Sequence, residues 1–298
     1  MTQRIIVTGG SGKLGRHVIQ ELKAHGYRVL NVDRLPPHER LCGNRSADLT
    51  DLGQFVDALD AADGLIHLAG IPSPHQAPET ATFTTNVVST FNAFQAARIR
   101  GLRRVVWASS EMTAGTPFHD RPPRYLPLDE AQPARPRYGY SLSKKLGEHI
   151  GEYFHDIHGI ASAALRFSSI LPPEVMARLS EQGGSEPDRG YHNFWGYVDP
   201  RDAAAACRCA LEAPLDSAEA FFITADDTTC PEPSAELAQR YYPKVELRPL
   251  ADPYATLISN EKARRMLGFV PQHSWRTEGS SDSTDAELRR GNPRPAIT

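Results

Sequence analysis

Tyr140 and Lys144 are the residues whose types and spacing most directly suggest acid–base chemistry. They are four positions apart, so both side chains would lie on one face of a helix. A free tyrosine has a pKa of about 10, and a neighbouring ammonium group should lower that pKa. The resulting phenol could exchange a proton with a substrate hydroxyl group. The alternative is an ordinary pair of surface side chains.

A glycine-rich segment, TGGSGKLG over residues 8–15, suggests a second kind of chemistry. It follows an apolar run and opens a predicted helix. Glycine allows a tight turn and close approach to a pyrophosphate, and the helix N-terminus offers free N–H groups to phosphate oxygens. The residues predicted to bind the phosphates of a dinucleotide are Gly9, Gly12, Lys13, Leu14 and Gly15.

Asp33 ends the next predicted strand, and its carboxylate could accept hydrogen bonds from the adenosine ribose. The same carboxylate would repel the extra phosphate of NADP, so the sequence predicts NAD as the cofactor. Arg34 could accept that phosphate, which leaves NADP open. Asp48 and Leu49 are predicted to contact the adenine. For Asp48, the alternative is a helix N-cap.

The elements that must position these residues alternate between strand and helix. Strands are predicted at 4–8, 28–33, 65–69, 103–108 and 161–167, with helices at 13–25, 83–100 and 138–158. This alternation predicts an α/β fold, a Rossmann-type doubly wound parallel sheet. The predicted organisation is an NAD-binding domain over 1–170, a small C-terminal substrate lobe over 171–276, and a flexible tail over 277–298.

Composition narrows the classes of function. The 298 residues carry a formal net charge of −3, so no basic surface predicts nucleic-acid binding. No apolar stretch is long enough to cross a bilayer, and no signal-peptide core begins the chain, so we expect a cytoplasmic protein. The four cysteines have no metal-binding spacing and are predicted to be free thiols, with no metal site.

Several ordered motifs resemble the extended short-chain dehydrogenase/reductase superfamily, the group that contains nucleotide-sugar epimerases, dehydratases and sugar dehydrogenases. They are TGGSGKLG, HLAG at 67–70, Asn86 in TNVVST, YSLSK at 140–144, LRFSSILPP at 165–173 and WGYVDPRDAA at 195–204. The resemblance covers roughly residues 3–270. It implies a Ser–Tyr–Lys site at Ser110, Tyr140 and Lys144. It also implies cofactor contacts from Leu68, Ala69, Gly70, Asn86, Tyr140, Lys144 and Phe167.

The resemblance also bears on the substrate. Few residues separate Pro173 from the motif at 195–204, which leaves little room for a segment that would bind a nucleotide. In its short overall length, the chain resembles uronate dehydrogenases. The dehydratases carry an Asp–Glu pair where this chain has Glu111 and Met112, which argues against dehydration. The residues predicted to contact a small-molecule substrate are Ser73, His75, Ser110, Glu111, Arg166 and Ser169. The alternative for Arg166 is a structural role, and the alternative for Glu111 is a solvated side chain.

Three functions remain open at this point. The first is an NAD-dependent oxidoreductase acting on a small sugar, sugar acid or polyol, with Tyr140 as general acid/base. The second is a nucleotide-sugar 4-epimerase with tightly bound NAD, and the third is a non-catalytic dinucleotide-binding protein. The resemblance further implies a homodimer formed through the helices predicted at 83–100 and 138–158.

Overall fold

The computed structural model describes residues 2–118 and 121–277. Within these ranges, the strands are β1 Arg4–Thr8, β2 Arg28–Asp33, β3 Gly43–Ser46, β4 Gly64–His67, β5 Arg104–Ser110, β6 Tyr125–Leu126, β7 Ala161–Phe167, β8 Ser169–Ile170, β9 Tyr197–Val198, β10 Ala218–Ile223 and β11 Glu246–Leu247. The helices are α1 Lys13–Ala24, α2 Leu52–Ala58, α3 Glu79–Ile99, α4 Gly139–His158, α5 Pro173–Gln182, α6 Pro187–Gly190, α7 Pro200–Glu212, α8 Ser234–Tyr241 and α9 Glu261–Leu267. Short 3-10 helices cover Glu111–Ala114 and Tyr191–Asn193.

Seven parallel strands form the central sheet, in the order β10-β7-β5-β4-β1-β2-β3. The order reverses between β1 and β4, which is where a doubly wound sheet opens a crevice at the carboxyl ends of its strands. The predicted Rossmann-type parallel sheet is therefore confirmed. The inner strands β1, β4, β5 and β7 are buried along most of their length, because helices cover both faces of the sheet.

Two apolar layers hold the helices on the sheet. Helices α1 and α7 pack against one face, over a core that includes Val18 and Phe221. Helices α2, α3 and α4 cover the other face, over a core that includes Phe94 and Trp107. Helix α4 lies very close to the strands: a Cβ atom on Gly147 would come within 2.6 Å of the Trp107 ring. Glycine at this position therefore lets the helix approach the sheet.

The C-terminal part forms its own apolar cluster around Phe194, Trp195, Leu237 and Ile258. Phe194 and Trp195 are both fully buried there, and both have left-handed backbone conformations, with φ of 58° and 53°. Such conformations are uncommon and unfavourable for bulky residues. The division into domains at residue 170 stays a prediction. The predicted tail lies outside the described residues, except for Thr277.

Several elements were absent from the sequence prediction, namely β3, α2 and α5. Strand β3 has the sequence GNRS, which lacks the β-branched and aromatic residues typical of strands, and it pairs at the edge of the sheet. Across residues 2–118 and 121–277, no helix has the length and apolar character to span a membrane. The same residues contain no cluster of three metal-ligating side chains.

Candidate active site

The glycine-rich turn joins β1 to α1 and has the geometry of a phosphate cradle. Gly9 has φ of 72°, and a Cβ atom there would lie 2.6 Å from the backbone nitrogen of Ala69. A Cβ atom on Gly15 would lie 2.2 Å from the Gly9 carbonyl oxygen. Gly12 is the N-cap of α1, and no side chain caps that end. The first N–H groups of α1, at Lys13 and Leu14, are therefore available to an anion.

Asp33 lies at the end of β2, beside this turn. Its carboxylate accepts backbone hydrogen bonds from Ser11 at 3.2 Å and Leu35 at 3.1 Å. These two bonds fix the carboxylate and leave further lone pairs on both oxygens, which is the arrangement a ribose diol needs. Arg34 follows with an exposed side chain. The residues around the turn fit a dinucleotide.

Asp48 and Leu49 follow β3. The Asp48 carboxylate accepts hydrogen bonds from the backbone and hydroxyl of Thr50, which lower the pKa of Asp48. The N-cap of α2 is Asp51, so Asp48 is not the helix cap. The Leu49 side chain is buried in the core under α2 and α3. Adenine contact by these two residues stays a prediction.

The segment after β4 lies directly against the glycine-rich turn. The backbone N–H groups of Leu68 and Ala69 donate to the Thr8 carbonyl and hydroxyl oxygens, at 3.0 and 3.4 Å. Gly70 is exposed with φ of 154°, and a Cβ atom there would lie 3.8 Å from Lys144 Nζ. This segment therefore bridges the phosphate cradle and the lysine.

Asn86 is buried on α3 and acts through this segment. Its side-chain amide accepts from the Ile71 N–H at 2.8 Å and donates to the Ile71 carbonyl at 3.0 Å. It also donates to the Ser143 hydroxyl at 3.3 Å. Both ends of the amide are thus engaged within the protein. In this geometry the amide fixes the backbone leading into the 71–75 loop, and contact between Asn86 and the cofactor stays a prediction.

Ser110, Tyr140 and Lys144 come together where β5 ends and α4 begins. The Tyr140 and Ser110 side chains are hydrogen-bonded, and all three side chains are buried. Lys144 Nζ donates to the Ala108 carbonyl at 2.8 Å and lies 5.9 Å from the centre of the Tyr140 ring. Tyr138 is the N-cap of helix α4, and its backbone N–H donates to the Ser141 hydroxyl at 3.0 Å. The predicted triad therefore shares one location.

The ionisation of this triad differs from expectation. Burial raises the pKa of Tyr140, the hydrogen bond with Ser110 opposes that rise, and the charge of Glu111 adds to it. The prediction that Lys144 lowers the pKa of Tyr140 is therefore wrong for this arrangement, because the ammonium bonds to a backbone carbonyl rather than to the phenol. Burial also lowers the pKa of Lys144 to about 8.

Glu111 follows Ser110 and is buried beneath the C-terminal lobe. Its Oε1 accepts from Asn193 Nδ2 at 3.3 Å, and the same amide donates to Ser169 Oγ at 3.2 Å. Burial raises the pKa of Glu111 to about 7, while the neighbouring Ser168 and Asn193 act in the opposite direction. Glu111 is therefore not a solvated side chain, and its contact with substrate stays a prediction.

Arg166 is engaged within the protein. Its guanidinium forms two hydrogen bonds of 2.8 Å with the carboxylate of Glu148, and both side chains are buried. Ser109 donates to the same carboxylate at 2.9 Å. Of the two predictions for Arg166, the pairing fits the structural role, which joins β7 to α4, and not the binding of a substrate carboxylate.

The remaining predicted contacts surround the triad. Phe167 is in register with Ser110 across β7 and β5. The loop after Gly70 carries half-buried Ser73 and exposed His75, whose ring lies edge-on to Tyr138 at 5.9 Å. Ser169 is exposed, at the join between the sheet and the lobe. These positions leave Ser73, His75 and Ser169 as candidates for substrate contact.

Sequence reasoning missed Asn193 and Glu148. Asn193 is 82 positions from Glu111 in the sequence, so no local pattern connects the two. Glu148 lies four positions after Lys144 on the predicted helix, and a glutamate in a helix is normally interpreted as solvent-exposed. The signal available for Glu148 was the arginine of the LRFSS motif, which needs a partner if it is buried.

The sheet order, the phosphate cradle and the Ser–Tyr–Lys cluster together define a Rossmann-type dinucleotide enzyme. Residues 5–223 match the NAD-dependent epimerase/dehydratase family. The chain belongs to that family, and it is an NAD-dependent enzyme with oxidoreductase chemistry.

Three relatives illustrate the range of the family. An NAD-dependent glucose-6-phosphate dehydrogenase of Haloferax volcanii is 27% identical over 288 residues, which cover 91% of this chain and 94% of that protein. A uronate dehydrogenase of Pseudomonas putida is 28% identical, covering 73% and 86% of the two chains. A crystal structure of UDP-galactose 4-epimerase superposes with a TM-score of 0.68 at 24% identity, covering 92% of this chain and 95% of the other, which shows a shared fold.

Proposed function

We propose that this chain is an NAD-dependent dehydrogenase that oxidises a hydroxyl-bearing carbon of a small sugar, sugar acid or polyol. The observation that carries the proposal is the buried Tyr140, hydrogen-bonded to Ser110 with Lys144 one turn along the helix. The similarity to a uronate dehydrogenase and a glucose-6-phosphate dehydrogenase supports a carbohydrate substrate.

Each side chain then has a distinct role. NAD, when bound, supplies the acceptor for a hydride. Ser110 would donate a hydrogen bond to the reacting oxygen and hold it beside the phenol. Tyr140 would act as the phenolate, a state that a cationic nicotinamide beside it would favour, and would take the hydroxyl proton while the hydride leaves the same carbon for NAD. Lys144, held by the Ala108 carbonyl, would use its remaining protons to orient the nicotinamide ribose.

The size of the lobe supports a small substrate. Only α5 and the four-residue helix α6 lie between β8 and the Tyr191–Asn193 turn, which reaches back to Glu111 and Ser169. Such a short segment offers few residues that could hold a nucleotide moiety. A sugar, sugar acid or polyol requires less room.

The alternative is a nucleotide-sugar 4-epimerase, because the same three residues can serve that reaction and an epimerase shares the fold. The two differ in the fate of NAD. A dehydrogenase releases NADH in step with sugar consumed, whereas a 4-epimerase keeps NAD bound and gives no net NADH.

The experiment is a panel of free sugars, sugar acids, polyols and UDP-sugars with added NAD, monitored for NADH. We expect net NADH with at least one free carbohydrate, and a fall of about 10²–10⁴-fold in kcat/KM for Tyr140→Phe. Epimerised UDP-sugar without NADH would instead establish the alternative. A Tyr140→Phe variant that turns over as fast as the parent would contradict the proposed role.

We further propose a homodimer formed through α3 and α4, the longest helices of the described chain. The exposed large apolar side chains on these helices are Phe91, Ile99, Leu142, Tyr153 and Ile157. A second copy would bury them in a four-helix contact. The four cysteines are free, which supports a reducing, cytoplasmic location.

A further inference from the structure

A cavity lined by arginine side chains lies between the segment that follows Ser110 and the segment that precedes Tyr140. The described residues that line this arginine cavity are Gly115, Arg121, Arg135, Pro136 and Arg137. Its volume is about 370 Å³, which is within the range of pockets that bind small molecules. Three of these five residues carry a permanent positive charge, and none of the five is acidic. The lining therefore favours an anionic ligand.

One wall of the arginine cavity continues the chain from Ser110. Ser110 is the N-cap of the 3-10 helix Glu111–Ala114, which ends at Gly115. The Arg135 N–H donates to the Thr113 carbonyl of this helix at 2.9 Å. A Cβ atom on Gly115 would lie 3.1 Å from the Arg135 carbonyl oxygen, so the two segments are packed closely together.

The other wall leads into the helix that carries Tyr140. Arg137 directly precedes Tyr138, the N-cap of α4, and it is three positions before Tyr140. Three residues of chain span at most about 11 Å, which is comparable to the length of a hexose with a phosphate group at its far end. The His75 ring lies 5.9 Å from the Tyr138 ring, so the loop that carries the predicted substrate contacts adjoins the same segment.

The positive charge of the arginine cavity is not compensated by the acidic residues of the same segment. Asp129 accepts a hydrogen bond from Tyr125 at 2.6 Å, and Glu130 accepts one from the Phe222 N–H at 2.7 Å. Neither Arg121 nor Arg135 forms a salt bridge with another described residue, and both side chains are exposed.

This concentration of charge has a physical consequence. Like charges around one concave surface repel one another and attract anions from solution. The planar guanidinium group donates two parallel hydrogen bonds to a phosphate or carboxylate group. The chain as a whole has a net charge of −3, so the positive charge of the arginine cavity is a local feature. Arg166 is paired with Glu148, which leaves the anionic group of a substrate to be bound by a different cation.

We propose that the arginine cavity binds the phosphate or carboxylate group of an anionic carbohydrate, and that Arg121 and Arg135 select this substrate over the neutral sugar. The identity of the ligand rests on the proposed function of Tyr140, whereas the binding of an anion does not. The arginines hold the charged end of the sugar while the hydroxyl group to be oxidised lies beside the phenol. Neutral sugars and polyols lack this contact.

The first test is calorimetric titration of inorganic phosphate into the protein saturated with NAD, so that the cofactor occupies the glycine-rich turn. We expect the parent to bind phosphate, and Arg121→Met and Arg135→Met each to weaken binding by about 10–100-fold, the value of a hydrogen bond between charged groups. The control is Arg124→Met, an exposed arginine of the same segment that is not among the described lining residues. A parent that binds no phosphate, or an Arg135→Met variant with the affinity of the parent, would overturn the proposal.

The second test compares glucose and galactose with their 6-phosphates and their uronic acids as substrates in the presence of NAD. We expect a higher kcat/KM for an anionic form than for the neutral sugar. Arg135→Met should lower that value by about 10–100-fold, mainly through KM, and leave the value for the neutral sugar unchanged. Arg135→Lys keeps the charge but loses the planar fork, so its loss should be smaller.

Equal losses for neutral and anionic substrates in Arg135→Met, or a parent that prefers the neutral sugar, would overturn the proposal. If no carbohydrate turns over at all, the proposed function fails. The calorimetric titration then still decides whether the arginine cavity binds an anion.

Discussion

Arg166 and Glu148 form a buried two-point salt bridge, with Nε–Oε1 and Nη2–Oε2 distances of 2.8 Å each. Arg166 is on β7 and Glu148 is on α4, one turn after Lys144. Hydrogen bonding and charge from Arg166 outweigh burial and lower the pKa of Glu148. The pair therefore fixes the helix that carries Tyr140 and Lys144 to the strand beside Ser110.

Breaking this pair should destabilise the fold. For Arg166→Met we expect the free energy of unfolding to fall by about 3–5 kcal/mol, because Glu148 is left buried without its main partner. Urea denaturation measures the change. Arg166→Met combined with Glu148→Met should recover most of the loss, and Arg240→Ala, which breaks an exposed pair with Glu232, should cost at most about 1 kcal/mol. A double variant as unstable as the single one would contradict this account.

Asp33 should control the choice between NAD and NADP. Asp33→Ala removes both the acceptor for the ribose and the charge that repels a 2′-phosphate. We expect the ratio of kcat/KM for NAD over NADP to fall by about 10–100-fold, the value of a charged hydrogen bond. The matched control is Asp63→Ala. The Asp63 carboxylate accepts a hydrogen bond from the Arg4 N–H at the start of β1, at the opposite end of the strands from Asp33. An unchanged ratio for Asp33→Ala would remove this residue from the cofactor site.

The buried lysine should make the stability of the NAD-free enzyme depend on pH. Burial lowers the pKa of Lys144 from 10.5 to about 8, so the unfolded chain keeps a proton that the folded chain loses between these values. The free energy of unfolding should therefore rise with pH across this window, by up to about 3 kcal/mol relative to Lys144→Met. Urea titrations of both proteins at several pH values measure the difference. If the free energy of unfolding changes with pH in the same way for both proteins, burial does not disfavour the charged form of Lys144.

The apolar side chains on α3 and α4 should control assembly. A charge introduced by Leu142→Glu or Ile157→Glu would have to be buried at the proposed interface, which is unfavourable. Sedimentation should therefore show a dimer for the parent and a monomer for these variants. Val270→Glu, at an exposed apolar residue after α9, should leave the dimer intact. A parent protein that sediments as a monomer would contradict the proposed interface.

Much of the sheet could be predicted because its strands are short apolar runs separated by helices. Residues 4–8, 28–33 and 161–167 were predicted with the bounds that the structure has. Strand β3 and helix α5 could not be predicted in this way. The sequence of β3 lacks apolar alternation, and what makes it a strand is its parallel pairing with β2, which a local pattern does not show. Helix α5 buries only Met176 of its residues, so its pattern is weak.

The same distinction between local patterns and long-range packing applies to the candidate site. Tyr140 and Lys144 were predictable because one helix sets their spacing, and Ser110 because strand ends in a parallel sheet converge. The pairing of Arg166 with Glu148 and the enclosure of Glu111 by Asn193 were not, since both depend on how separate elements pack. The pKa of Tyr140 was misjudged for the same reason: burial is a property of the folded chain.

The missing side chain of Gly9 allows the segments that follow β1 and β4 to contact one another. With a Cβ atom absent, the turn after β1 contacts the segment after β4 at Ala69. The backbone that would hold the pyrophosphate therefore packs against the segment that leads into the loop carrying Ser73 and His75. Any side chain at position 9 would push these two backbone segments apart, so a substitution there would disturb the phosphate cradle and the start of the 71–75 loop together.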